Sequence, residues 1–143
     1  MKVYIGCDHN GLKLKDSLVK YLAKFGISAI DVGATEFVSD DDYNTYAKLL
    51  CKKVLQDKDN RGILVCGSGV GMTMQANRFK GIRAVLGDNT KTVKSARMHN
   101  DANVLCLGAR QTGKTTAEIR TATFITTRFN GGHYQKRNEL LDK

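Results

Sequence analysis

The chain has 143 residues, 41% of them hydrophobic, and 23 lysines and arginines against 14 aspartates and glutamates give a formal net charge of +9. This length suits one domain spanning residues 1–143 rather than two, and no window approaches the roughly 20 apolar residues of a membrane span. The basic residues are scattered instead of clustered in one run, which points to solvated helix faces and small anionic metabolites ahead of nucleic acid.

Lys2 to Gly6 is predicted as a first strand with Val3 and Ile5 inward, ending in the polar run from Cys7 to Gly11. Leu14, Leu18, Tyr21 and Leu22 at helical spacing predict a helix from Leu12 to Phe25, with Gly26 as its stop. Ser28 to Val32 reads as the second strand. Three consecutive aspartates, Asp40, Asp41 and Asp42, stand before a helix from Tyr43 to Gln56, where acidic side chains complement the helix dipole.

The third strand is the short apolar run Ile63-Leu64-Val65, with Cys66 as its last residue. Gly67, Gly69 and Gly71 stop it and open a helix that continues from Met72 to Arg78. Strand, glycine turn and helix start place several backbone N–H groups around one small volume, which favours an anion and a thiolate on Cys66. The plainer reading is that the cysteine is buried and the glycines only pack strand against helix. A dinucleotide fingerprint does not fit, because the third glycine comes one residue early. A cysteine-phosphatase loop does not fit either, since Met72 stands where an arginine is needed.

Ile82 to Leu86 is the fourth strand, and Asp88 or Asn89 caps a helix from Thr90 to Met98. Val104 to Leu107 is the fifth strand. A long helix follows from Lys114 to Phe129, broken by Asn130-Gly131-Gly132, and the tail from His133 ends in another short helix. Gly108 to Thr115 matches the nucleotide P-loop pattern, but no apolar strand ending in an aspartate follows to hold magnesium. That match is read as a loop that turns Arg110 toward the ligand edge.

Five strands alternating with helices predict a three-layer, doubly wound parallel sheet of Rossmann-like type with a C-terminal helical tail. Ligands in such sheets sit beyond the carboxyl ends of the strands. Asp8, His9, Cys66, Ser68, Asp88 and Arg110 all follow strands and are expected on that rim. His9 would orient a hydroxyl or phosphate there if strands one and three are adjacent. His99 reads either as a helix-end cap or, with Asn100, as part of a site. His133, Tyr134 and Arg137 read as surface tail from composition alone. Cys7, Cys51, Cys66 and Cys106 are too widely spaced for a zinc ribbon, and nothing resembles a secretory signal, so they read as reduced thiols of a cytoplasmic protein.

In sequence the chain resembles the ribose-5-phosphate isomerase B and galactose-6-phosphate isomerase family. The matching stretches are Gly6 to His9, Asp42-Tyr43, Cys66 to Gly71, Ala76 to Ala84, Arg97 to Leu105, Gly108 to Arg110, and Gly131 to Arg137. The resemblance implies an aldose-ketose isomerase acting on a sugar phosphate without metal or organic cofactor. Ribose 5-phosphate and ribulose 5-phosphate of the pentose phosphate pathway are the expected pair. The alternatives are a six-carbon substrate such as galactose 6-phosphate, or a non-catalytic sugar-phosphate binding module.

Carried onto this chain, the resemblance makes Cys66 the base that moves a proton between C1 and C2. It gives Ser68 and the amides of Gly67, Gly69 and Gly71 the sugar oxygens, and His99 the opening of the ring. Asn100 is its neighbour at the oxyanion, Asp8, His9 and Tyr43 are substrate contacts, and Arg110 and Arg137 are phosphate ligands. Family sites form between subunits, which implies a homodimer or homotetramer. Three departures stand out: Ser68 where threonine is commoner, Asn44 where proline would stiffen the loop holding Tyr43, and His133-Tyr134 where Arg-His is usual. The last implies either the loss of one phosphate cation or its replacement by a titratable imidazole at His133.

Overall fold

The computed structural model describes residues 1–143. The elements run β1 (Val3–Cys7), α1 (Leu12–Ala23), β2 (Ala29–Asp31), α2 (Tyr43–Val54), β3 (Arg61–Cys66), α3 (Val70–Ala76), β4 (Ala84–Leu86), α4 (Thr90–Asn100), β5 (Val104–Gly108), α5 (Lys114–Thr126) and α6 (His133–Glu139). All five strands are parallel, in the order β2-β1-β3-β5-β4.

The order follows from which strands can be buried on both faces. β1 and β5 are buried throughout, and β3 everywhere but at Arg61, so these near-continuous apolar runs take the centre. β2 and β4 are three residues each, partly exposed, and close the edges. One face carries α1, α4 and α5, whose Leu14, Leu18, Leu22, Val93, Ala117 and Phe124 pack on Ile5, Ile63 and Leu105. The other carries α2 and α3, whose Leu50, Val54, Met72 and Ala76 pack on Tyr4, Leu64 and Cys106. Each of the larger side chains among these, taken fully out of water, contributes about 1.5–3 kcal/mol, so the two cores set the strand register.

The α1 stop is as expected: Gly26 takes φ 74°, and the N–H of Ile27 closes back on the carbonyl of Leu22. Asn89 is the cap of α4, its side chain accepting the N–H of Thr92 at 2.8 Å. α1, α2 and α3 end two residues before the predicted Phe25, Gln56 and Arg78, and the ends of α4 and α5 differ for tertiary reasons. α4 continues through His99 and Asn100, because the chain turns only at Asp101, which takes the left-handed conformation at φ 46°. α5 stops at Thr126 instead of Phe129, because the carbonyl of Thr127 accepts Arg97 Nε at 3.2 Å and the N–H of Asn130 reaches Met98. The segment after α5 is strapped to the end of α4 rather than wound into helix.

Candidate functional site

β1 and β3 lie side by side, so the residues that follow them meet at the carboxyl edge of the sheet. A cleft of about 260 Å³ opens there between Asp8, Tyr43, Cys66, Ser68, Gly71 and Arg110. Its floor is the glycine turn. Gly69 sits at φ 79°, and a Cβ there would come within 2.8 Å of Leu86 and 3.0 Å of the Leu107 carbonyl carbon, so only glycine fits. Its N–H donates to Cys66 Sγ at 3.1 Å. Gly71 lets the Tyr43 ring lie on the backbone, since a Cβ would meet Cζ at 2.6 Å.

The N–H groups of Gly67, Ser68 and Gly71 have no acceptor within the chain, while Ser68 Oγ accepts the N–H of Val70 at 3.3 Å. Cys66 is buried at 4% exposure, yet its thiol borders this set of free donors. The other three cysteines do not line the cleft. Burial pushes the thiols of Cys7, Cys51 and Cys106 up to about 12, where they stay protonated and serve as packing.

The P-loop match fails for a visible reason. The N–H groups of Ala109 and Arg110 are spent on the carbonyls of Cys66 and Gly67, and those of Gln111 and Thr112 on Gly108. The loop locks onto the glycine turn instead of cradling phosphates, and it delivers the Arg110 guanidinium over Gly67. Asp88, expected on the same rim, does not join the cleft, because β4 lies at the sheet edge beyond β5.

Asp8 is buried at 4% exposure, and that burial holds its carboxyl above the usual range despite the Asn10 N–H it accepts at 2.9 Å. His9 Nδ1 lies 2.5 Å from Asp41 Oδ1, and its Nε2 lies 3.0 Å from Asn10 Nδ2. Asn10 Oδ1 in turn accepts Arg110 Nη2 at 3.0 Å. Asp8, His9 and Asp41 bring three metal-ligating atoms within 4.8 Å of one another. Asp41 and Asn10 were missed by the sequence reading. The Asp40–Asp42 run reads as a helix start, but Asp42 makes no side-chain cap and Asp41 folds back over 32 positions to His9. A triple acid where one cap suffices was the available signal. Asn44, expected to loosen the loop, ties it instead: its Nδ2 donates to Gln75 Oε1 at 2.8 Å.

His99, Asn100, His133 and Arg137 do not join this cleft within one chain. His99 and Asn100 end the helix that leads into β5, which puts them at the amino edge of the sheet, opposite Cys66. There the His99 imidazole stacks on Tyr134 with ring centres 4.4 Å apart and planes 18° apart, and the His133 ring lies tilted against Tyr134 with centres 4.0 Å apart. Asn138 Nδ2 donates to the His99 carbonyl at 3.3 Å, which fastens α6 to α4. Beneath them Asp101 collects Arg97 at 2.7 Å and Arg83 at 3.1 Å. Tyr134 was read as surface tail; its single aromatic ring in a polar helix gives no periodic signal.

Fold and cleft together define a doubly wound α/β protein that sets a thiol and free main-chain donors at the carboxyl edge of its sheet, where a small anionic ligand fits. The chain belongs to the ribose/galactose isomerase family, whose profile matches residues 3–141. It is 42% identical over 135 residues to a probable ribose-5-phosphate isomerase B of Mycoplasma pneumoniae, covering 94% of this chain and 89% of that one. It is 37% identical over 140 residues to ribose-5-phosphate isomerase B of Escherichia coli, covering 98% and 93%. A crystal structure of ribose-5-phosphate isomerase B from Mycoplasma genitalium with bound ribulose-5-phosphate superposes with a TM-score of 0.94 at 37% identity, covering 98% of this chain and 93% of that one.

Proposed function

We propose that this chain interconverts ribose 5-phosphate and ribulose 5-phosphate, as an aldose-ketose isomerase of pentose phosphate metabolism. The observation that carries the reading is the Cys66 thiol at the floor of the cleft, beside three main-chain N–H groups that have no acceptor of their own. Cys66 as thiolate takes the proton from C2 of the open-chain aldose. The electron pair moves into a C1–C2 double bond, and negative charge gathers on the adjoining oxygens. The free N–H groups of Gly67, Ser68 and Gly71 meet that charge, and each well-placed donor is worth about 3 kcal/mol in the transition state. A proton passes from the O2 hydroxyl to O1, the thiol returns its own proton at C1, and the ketose forms without any change in oxidation of the protein.

Asp8 and Tyr43 position the sugar hydroxyls, and Arg110 takes phosphate oxygens. His99 opens the furanose by moving a proton between the ring oxygen and the anomeric hydroxyl, with Asn100 beside the developing oxyanion. Because His99 and Cys66 sit on opposite edges of one sheet, a second copy supplies the missing edge. A homodimer, or a homotetramer made of two, places His99, Asn100, His133 and Arg137 of one protomer over the Cys66 cleft of the other. One domain, residues 1–143, contributes both half-sites. The four reduced thiols fit a cytoplasmic setting.

The test is to follow ketose formation by the purified protein on ribose 5-phosphate and on galactose 6-phosphate. A kcat/KM at least tenfold higher on the five-carbon sugar is expected. Preference for the six-carbon sugar would move the assignment to hexose phosphates, and binding without turnover on either would leave a binding module.

A further inference from the structure

Asp41 has no part in the proton transfer described above, yet its carboxylate is nearly buried beside the cleft, with Oδ1 engaged and Oδ2 without a hydrogen-bond partner. Its Oδ1 takes both the backbone N–H of His9 at 3.2 Å and the ring Nδ1 at 2.5 Å, so one oxygen fixes the main chain and the side chain of the same residue. The Asp41 side chain is only 9% exposed. Phe37 stands edge-on to the imidazole at 5.5 Å and closes its outer side.

Donor directions in this cluster are decided by chemistry. Arg110 can only donate, so the Asn10 atom it meets is the carbonyl oxygen, and the Asn10 amide group faces His9 Nε2. Nε2 is therefore an acceptor, and the ring proton sits on Nδ1, facing a carboxylate that can only accept. The hydrogen bonds run one way, from Arg110 through Asn10 and His9 to Asp41. They join the loop after β5 to the loop before α2 across the cleft.

We infer that Asp41 is a positioning residue that sets the tautomer and orientation of His9, and through Asn10 holds the Arg110 guanidinium where the substrate phosphate binds. This rests on the isomerase reading for its kinetic part only. A neutral amide in place of the carboxylate accepts or donates equally well, so the polarity of the chain is no longer imposed. Charged and titratable groups surround His9: Asp8 beside it, Asp41 on its Nδ1 with the Tyr46 phenol behind that carboxylate, Lys13 from α1, Arg110 from the loop after β5 through Asn10, and Lys114 from the start of α5. The tautomer is therefore read directly, because a pH profile would sum all of them.

The experiment pairs two readouts. In a long-range ¹H–¹⁵N spectrum of histidine-labelled protein, with His9 assigned from the His9→Gln variant, the wild type shows the Nδ1–H form. Asp41→Asn shows a mixture. An Nε2–H ring in the wild type overturns the inference, whether or not the protein turns over any sugar, and needs no variant to fold. In steady-state assays on ribose 5-phosphate, Asp41→Asn raises KM about tenfold with kcat within about twofold, the size of one charge-assisted hydrogen bond. In a His9→Ala background the same change moves KM by less than about twofold, because its route is gone. An equal effect with and without His9 overturns the inference and leaves Asp41 as a general fold contact. If no isomerase activity is found, the functional reading fails while the tautomer measurement still decides this one.

Discussion

The two edges of the sheet are built by different physics. At the carboxyl edge the reactive groups are held by main chain: a glycine turn, a thiol accepting an amide, and a loop whose own amides are tied to that turn. At the amino edge they are held by side chains, with His99 stacked on Tyr134 and the helix end pinned by arginines on Asp101. The first edge carries Cys66 and the unpaired amides of the glycine turn, and the second carries His99 and His133. On the proposed reading neither half suffices in one chain, and pairing of two copies has a chemical purpose beyond burying surface.

Breaking the carboxyl edge at its centre has the largest consequence. Cys66→Ala is expected to lower kcat about 1,000-fold while ribulose 5-phosphate binding, measured by calorimetry, stays within about threefold. Retention of more than a tenth of the turnover would show that some other group moves the proton. Breaking the amino edge is expected to cost less and to be selective. His99→Asn lowers kcat/KM about 100-fold on cyclic ribose 5-phosphate but only a few-fold on a substrate that cannot form the ring. Equal losses on both would remove the division of labour between the edges.

The smallest effect concerns stability rather than rate. Burial raises the Asp8 carboxyl above its unfolded value, so the fold is disfavoured by ionisation there. The contribution is present below the unfolded value of about 4 and is lost as pH rises through the higher folded value. Asp8→Asn is therefore expected to raise Tm at pH 7 and to leave it unchanged near pH 3, while weakening substrate binding. A lower Tm at pH 7 would show that the carboxylate stabilises the edge it occupies.

How far each edge could be read from sequence follows from the same physics. The carboxyl edge is encoded locally: Ile63 to Cys66 is a strand by its β-branched and apolar content, and the glycines that follow announce the turn. Adjacency of β1 and β3 then brings Asp8 to Cys66. Asp41 was misread because its partner is His9, far away in sequence, and a run of acids before a helix has a sufficient local explanation. The amino edge is harder still. His99 reads as a helix cap because nothing within its own chain joins it to the cleft, and Tyr134 in a polar helix carries no pattern to set it apart from surface. The end of α4 moved by two residues for a similar reason, since Asp101 is held by Arg83 and Arg97 rather than by local propensity.

The most direct test of the shared site is complementation. Cys66→Ala and His99→Asn chains, each retaining about a hundredth or less of wild-type activity on cyclic ribose 5-phosphate, are mixed in equal amounts, unfolded and refolded together. If the edges meet across protomers, half of the dimers are mixed and one of their two clefts has both Cys66 and His99, so about a quarter of wild-type activity returns. If the mixture stays as inactive as its components, Cys66 and His99 do not act in one site contributed by two chains, and the account is wrong.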